Sequence, residues 1–106
     1  MATDWAADIK KYAPDADDAI VAKILKTYRL VLSNRDSAYV ATSDASEIAT
    51  VRENFLKKKL GLTEDDATLD AAIADVAARM KGDRTKSRAT VYYLLAEKFG
   101  KLDVFA

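Results

Sequence analysis

Four cations in a short span, Lys81, Arg84, Lys86 and Arg88, carry the most evident chemical potential in this chain. They precede an apolar helical stretch and would surround a helix start. There the peptide N–H groups are unpaired and the dipole end is positive, so extra positive charge costs energy and needs a counter-charge. One candidate is a bound anion, because helix-start amides and guanidinium forks together fit phosphate. Arg35 is a further candidate for that site. The other candidate is an acidic group of the same chain or of a second protomer, such as Glu64–Asp66. Arg84 and Arg88 lie four apart on one helix face, and Arg88 stands one turn before Tyr92. Arg88 therefore borders an apolar stripe and is expected to be a structural ion-pair donor. Anion binding through Arg84, Lys86, Arg88 and Arg35 is the alternative.

Other chemistry is scarce. The chain has no cysteine and no histidine. That removes disulfides, thiol and imidazole chemistry and nearly all zinc sites. Ser87 adjoins Lys86, but neighbours in a helix do not face each other. Carboxylates cluster at Asp15, Asp17, Asp18 and at Glu64, Asp65, Asp66. Neither cluster has the glycine of a calcium loop, and both sit where helices should begin, so capping is the expected role. Lys57-Lys58-Lys59 fall in a last helical turn, where cations suit the dipole. No enzyme activity, metal or cofactor is expected.

The elements that position these residues are legible from punctuation. The 106 residues hold three glycines and one proline. Pro14 should stop a first helix near Ala13, with a second beginning near residue 15. Gly61, Gly82 and Gly100 each follow an apolar-periodic segment, as left-handed helix ends do. Asp44-Ala45-Ser46-Glu47 suggests a capping box, and Asp83 is a candidate cap for the last helix. Stripes of Ile48, Val51, Phe55, of Leu69, Ile73, Val76, Met80 and of Tyr92, Leu95, Phe99 have helical spacing. Ala38–Thr42 is the one β-flavoured stretch, read as a loop or another helical turn.

The expected fold is all-α: a compact single-domain array of about five helices over residues 1–106. The helices run roughly 3–12, 15–32, 44–60, 66–81 and 84–99, with a loop at 33–43 and a tail from 100. Leu25, Val51, Phe55, Ile73, Val76, Tyr92, Leu95 and Phe99 make the core, and Tyr93 is left for the surface or an interface.

Charge is segmental although 17 cations balance 17 anions. Residues 1–20 carry −3, 21–43 carry +3, 44–62 carry +1, 63–80 carry −4 and 81–106 carry +3. Such blocks favour complementary contact between helices or protomers, and a neutral total excludes a uniformly basic nucleic-acid coat. No stretch approaches the roughly 20 apolar residues that span a bilayer. A cytoplasmic protein is expected, with a protein partner or a second copy as the leading kind of ligand and nucleic acid as the weaker one.

Three segments resemble a known family: Asn34-Arg35-Asp36-Ser37, Val51 through Leu62 (VRENFLKKKLGL) and Arg88 through Lys101 (RATVYYLLAEKFGK), followed by Val104-Phe105. Together they resemble the bacterial family called domain of unknown function 2853. The resemblance implies a small helical protein without an assigned activity, and it carries over no catalytic residue. Thr42 stands before Ser43-Asp44 where the family pattern often has cysteine, which argues against an essential thiol. The polar residues in these segments, Asn34, Arg35, Asp36, Asn54 and Arg88, are not explained by helix packing. The 33–44 loop is therefore expected to pack on the last helix, with Asp36 or Asp44 pairing Arg88.

Overall fold

Aspartates set most of the helix starts. A computed structural model describes residues 4–34, 36–83 and 85–105. In it Asp4 accepts from the Ala7 amide at 3.0 Å and opens α1 (Trp5–Tyr12). Pro14 follows one residue after the α1 cap, as its ring requires. Asp17 accepts from Ala19 at 2.8 Å and opens α2 (Asp18–Thr27). That start is three residues later than expected, because the chain first makes a turn closed by Ala16 N–H on Ala13 C=O.

The second expected helix is divided. Tyr28 (φ −105°, ψ 19°) separates α2 from α3 (Arg29–Ser33). Hydrogen bonds from Tyr28 to Ile24 and from Leu32 to Tyr28 still carry the coil through. The kink coincides with tertiary packing: the Tyr28 ring meets Tyr92 edge-on at 5.0 Å and lies within 6.4 Å of Phe55 and Phe105. The loop after α3 is folded by Asn34, whose side chain accepts from Asp36 and whose carbonyl accepts from Ser37 and Ala38.

The β-flavoured stretch is a strand. β1 (Tyr39–Val40) pairs antiparallel with β2 (Lys86–Ser87), Tyr39 opposite Ser87 and Val40 opposite Lys86. This ladder corrects the last helix, which was expected from residue 84. α6 spans Arg88–Lys98, and Ser87, rather than Asp83, caps it through Thr90. The residues just before it are extended because they pair with β1.

Asp44 caps α4 (Ala45–Thr50) by accepting from Ser46 at 2.9 Å. The coil then widens into a π-helix over Val51–Lys59, so the expected 44–60 segment is two helical forms in series. A π-helix bonds each amide five residues back, and it buries Val51, Phe55 and Leu56 here. The widened turn presents Phe55 flat on Tyr92, with ring centroids 3.9 Å apart and planes 8° from parallel. Gly61, at φ +69°, follows in the left-handed region. α5 (Asp66–Arg79) is capped by Asp65 and buries Leu69, Ala72, Ile73 and Val76.

α6 is the hub. Every residue from Arg88 to Ala96 is buried, so this helix packs on all sides. Tyr93, expected at the surface or an interface, is 2% exposed and belongs to the core. α6 ends in a Schellman turn: Lys101 N–H bonds Ala96 C=O, Gly100 N–H bonds Glu97 C=O, and Gly100 has φ +66°. Gly82, expected to behave likewise, does not take positive φ. The expected tail folds as a 3₁₀ turn (Leu102–Phe105) that buries Phe105 against Tyr28 and Phe55.

The result is an all-α fold, 38 × 28 × 24 Å, with one two-residue ladder and one cluster of buried apolar side chains among the described residues. Leu25 and Phe99, expected within the core, are only partly buried against it. Among the described residues no helix is long and apolar enough to cross a membrane.

Candidate functional site

Arg88 is held where β2 becomes α6. Its amide donates to Ala38 C=O at 2.8 Å, which ties the first turn of α6 to the end of the 34–38 loop. Its guanidinium has three partners among the described residues. Nε donates to Ser37 C=O at 2.6 Å, Nη1 donates to the Tyr92 hydroxyl at 2.9 Å, and Nη2 donates to Glu47 Oε1. The cation also lies over the Tyr92 ring, 5.6 Å from its centroid. Burial is the largest single influence on its pKa and acts downward. The Tyr92 hydroxyl and the Glu47 carboxylate outweigh it together and hold Arg88 above its ordinary value.

The expected structural role of Arg88 and the packing of the 33–44 loop on the last helix are both present. The expected partner is different. Neither Asp36 nor Asp44 pairs with Arg88: Asp44 is engaged in capping, and Glu47, one turn along α4, faces the guanidinium. Glu47 therefore does not close a capping box with Asp44. Its side chain reaches the Arg88 guanidinium at the start of α6 instead.

A second polar node lies at the basic segment. Asp83 accepts from Lys11 Nζ at 2.7 Å and from the Tyr12 hydroxyl, which joins the turn before β2 to α1. The bond from Lys11, then that from Tyr12, holds the Asp83 carboxyl below the usual range. Lys86 Nζ donates to Asp83 C=O at 3.0 Å. α1 is also tied to α6 directly, through the Thr90 hydroxyl on Asp8. Of the candidate anion ligands, Arg88 and Lys86 are thus placed near one another but turned to separate partners. Arg35 and Arg84 lie outside the described residues.

A third node joins the π-helix to α5. Arg52 donates to both Asp70 oxygens at 2.9 and 3.0 Å and to Glu53 at 2.8 Å. Lys57 bridges Glu53 at 2.9 Å and Asp66 at 2.7 Å. Asp66, of the acidic group at 64–66, therefore meets the cations of the π-helix, while Asp65 caps α5. Among the described residues no three metal-binding side chains converge, and no buried side-chain nitrogen or oxygen lacks a hydrogen-bond partner.

Sequence reasoning missed Glu47, the Tyr92 hydroxyl, Asp83 and Arg52 as polar partners. Each contact spans helices or, for Tyr92, depends on which way a core ring turns its hydroxyl. The one available signal was Arg88 itself, a cation on a core border that demanded a counter-charge.

These features define a small all-α protein in which α6 is the buried hub and its polar side chains lock neighbouring segments onto it. The chain belongs to the family described as Protein of unknown function (DUF2853), whose model matches residues 4–103. No curated protein matches it.

Proposed function

We infer that the protein is a non-catalytic protein-interaction module. The observation that carries this reading is the engagement of Arg88. The best-equipped cation for anion chemistry is 7% exposed and bonded to Ser37, Glu47 and Tyr92. It acts on the fold, which leaves the outer surface for recognition. A cytoplasmic setting belongs to the same reading. The test is sedimentation velocity at micromolar concentration combined with in-cell cross-linking of tagged protein. A complex, with itself or with a reproducibly cross-linked protein, is expected. A monomer that cross-links to nothing would reject the reading.

Anion or nucleic-acid binding at residues 81–88 is the alternative. Lys81 and Lys86 make no ion pair among the described residues, which favours it. The Asp83 carboxylate in their midst opposes it. Salt-sensitive binding to a labelled RNA or DNA oligonucleotide, abolished by Lys81→Glu, is its signature.

A further inference from the structure

The described cations fall into two sets. Lys10, Lys11, Arg52, Lys57, Arg79, Arg88 and Lys98 each bridge a carboxylate. Lys23, Lys26, Arg29, Lys58, Lys59 and Lys101 make no ion pair among the described residues. Lys81 and Lys86, on the other segment, complete the second set.

The elements that carry those six are neighbours in the fold. Lys23, Lys26 and Arg29 follow one another at three-residue spacing along the solvent side of α2 and α3, opposite the buried Val21, Ile24 and Leu32. Lys58 and Lys59 end the π-helix, and the Lys59 ammonium stands 5.4 Å from the centre of the Phe105 ring. Phe105 in turn packs on Tyr28, at the α2–α3 junction, and Lys101 leads into the turn that carries it. The carboxylates on these elements are few. Asp18 holds Lys10, Glu53 holds Arg52 and Lys57, and of the carboxylates on these elements Asp103 stands exposed without a cation among the described residues.

The same elements carry a second anomaly. The exposed large hydrophobic residues among those described are Leu30, at 79%, and Val104, at 36%. Leu30 follows Arg29, and Val104 lies between Lys101 and Phe105. A neutral chain can sustain such a face. Its shortest dimension, 24 Å, exceeds the screening length of roughly 8 Å at physiological salt, so acidic groups on the far side do not cancel it.

We propose that the face formed by α2, α3, the end of the π-helix and the 102–105 turn docks an acidic segment of a partner protein that also offers apolar side chains. This rests on the interaction-module reading and names the partner's chemistry. The two aliphatic groups decide the class. A phosphate backbone gains nothing from leucine, and no large aromatic side chain is exposed among the described residues to stack on bases. Exposed aliphatic side chains next in sequence to unpaired cations match an apolar contact with an acidic rim, the anatomy of a protein interface.

The test uses the full chain, isotopically labelled, and four probes. These are a peptide of Glu and Leu with leucines at i, i+3, i+4 spacing, the same peptide with Ser for Leu, a single-stranded RNA, and phosphatidylcholine vesicles doped with phosphatidylserine. The Glu–Leu peptide should bind tightest and shift amides at 23–30, 57–59 and 101–105. Leu30→Ser and the pair Lys26→Glu, Arg29→Glu should each weaken it at least about five-fold, while Lys81→Glu should not. All these positions are exposed, and the amide spectrum reports whether each variant is folded. Tighter binding of the RNA or the vesicles, equal binding of the Ser peptide, or shifts mapping elsewhere would overturn the proposal. Shifts elsewhere, or a cross-linked protein retained by the Lys26→Glu, Arg29→Glu variant, would overturn this face and leave the interaction module standing. Loss of all cross-linked partners from the wild type would overturn both.

Discussion

Glu47 and Arg88, 41 residues apart in the chain, share a hydrogen bond across the α4–α6 junction, with Arg88 also gripping the Ser37 carbonyl. One side chain thereby fixes a loop, a short helix and the central helix together.

Removing one partner of a largely buried ion pair leaves the other without compensation. Arg88→Ala should lower unfolding free energy by about 3 kcal/mol. Glu47→Gln, which keeps a hydrogen-bond acceptor, should cost only about 1 kcal/mol. Urea denaturation monitored by circular dichroism reads both, and an unchanged midpoint for Arg88→Ala would refute the structural role.

Gly61 and Gly82 should respond oppositely to alanine. An added Cβ at either position meets open space, with no atom beyond the adjoining backbone within 4 Å. Gly61 has φ +69°, a conformation that costs an L-residue about 1–2 kcal/mol, so Gly61→Ala should destabilise by that amount. Gly82 does not have positive φ, and Gly82→Ala should be neutral or stabilising by up to about 1 kcal/mol. Thermal melts of the two variants side by side decide it.

The C-terminal turn belongs to the core. Phe105→Ala should cost about 3–5 kcal/mol, as for other buried aromatic truncations, and stopping the chain after Lys101 should cost at least as much. A truncated protein that melts at the wild-type temperature would show the turn to be dispensable.

Acid should weaken the fold in a defined window. The carboxyls of Asp44, Glu53, Asp65 and Asp83 are all held below their usual values by hydrogen bonds from Ser46, Arg52, Thr68 and Lys11 respectively. Their stabilising contribution is complete above the unfolded-state values near 4 and disappears as pH falls through the lower folded-state values. Melting temperature should fall below about pH 4, and Asp83→Asn should be less stable at neutral pH with a shallower acid decline. An identical pH slope in that variant would exclude Asp83 as a contributor.

Base should act through phenols. Burial raises Tyr12, Tyr28 and Tyr93, Tyr28 most strongly. The unfolded chain ionises these groups first, so stability declines above about pH 10. Ultraviolet titration should show Tyr28 ionising together with the loss of helical circular dichroism. A folded protein with all five tyrosines ionised would contradict this.

Local chemistry was legible in the sequence where it acts locally. Asp44 could be recognised as a cap because an aspartate before a helical run satisfies amides two or three residues on, and Gly61 and Gly100 because only glycine takes their backbone conformation cheaply. Arg88 could be recognised as needing a counter-charge from its place beside Tyr92. The same logic failed where a distant segment competed for the residue. Glu47 had a plausible local task and was drawn to Arg88 instead. Residues 86–87 continued a helical pattern and were drawn into a ladder with Tyr39–Val40.

Residue type and spacing alone therefore determined an all-α fold, the starts of α4 and α5, and the absence of thiol and imidazole chemistry. Each of these depends on residues within a turn or two of one another. Tertiary structure alone decided that α6 is buried on every side, that Val51–Lys59 winds as a π-helix, and that the last turn seats Phe105 under Lys59. It also decided which cations are neutralised and which face outward. Pairing and burial depend on segments far apart in the chain, and only folding brings those together.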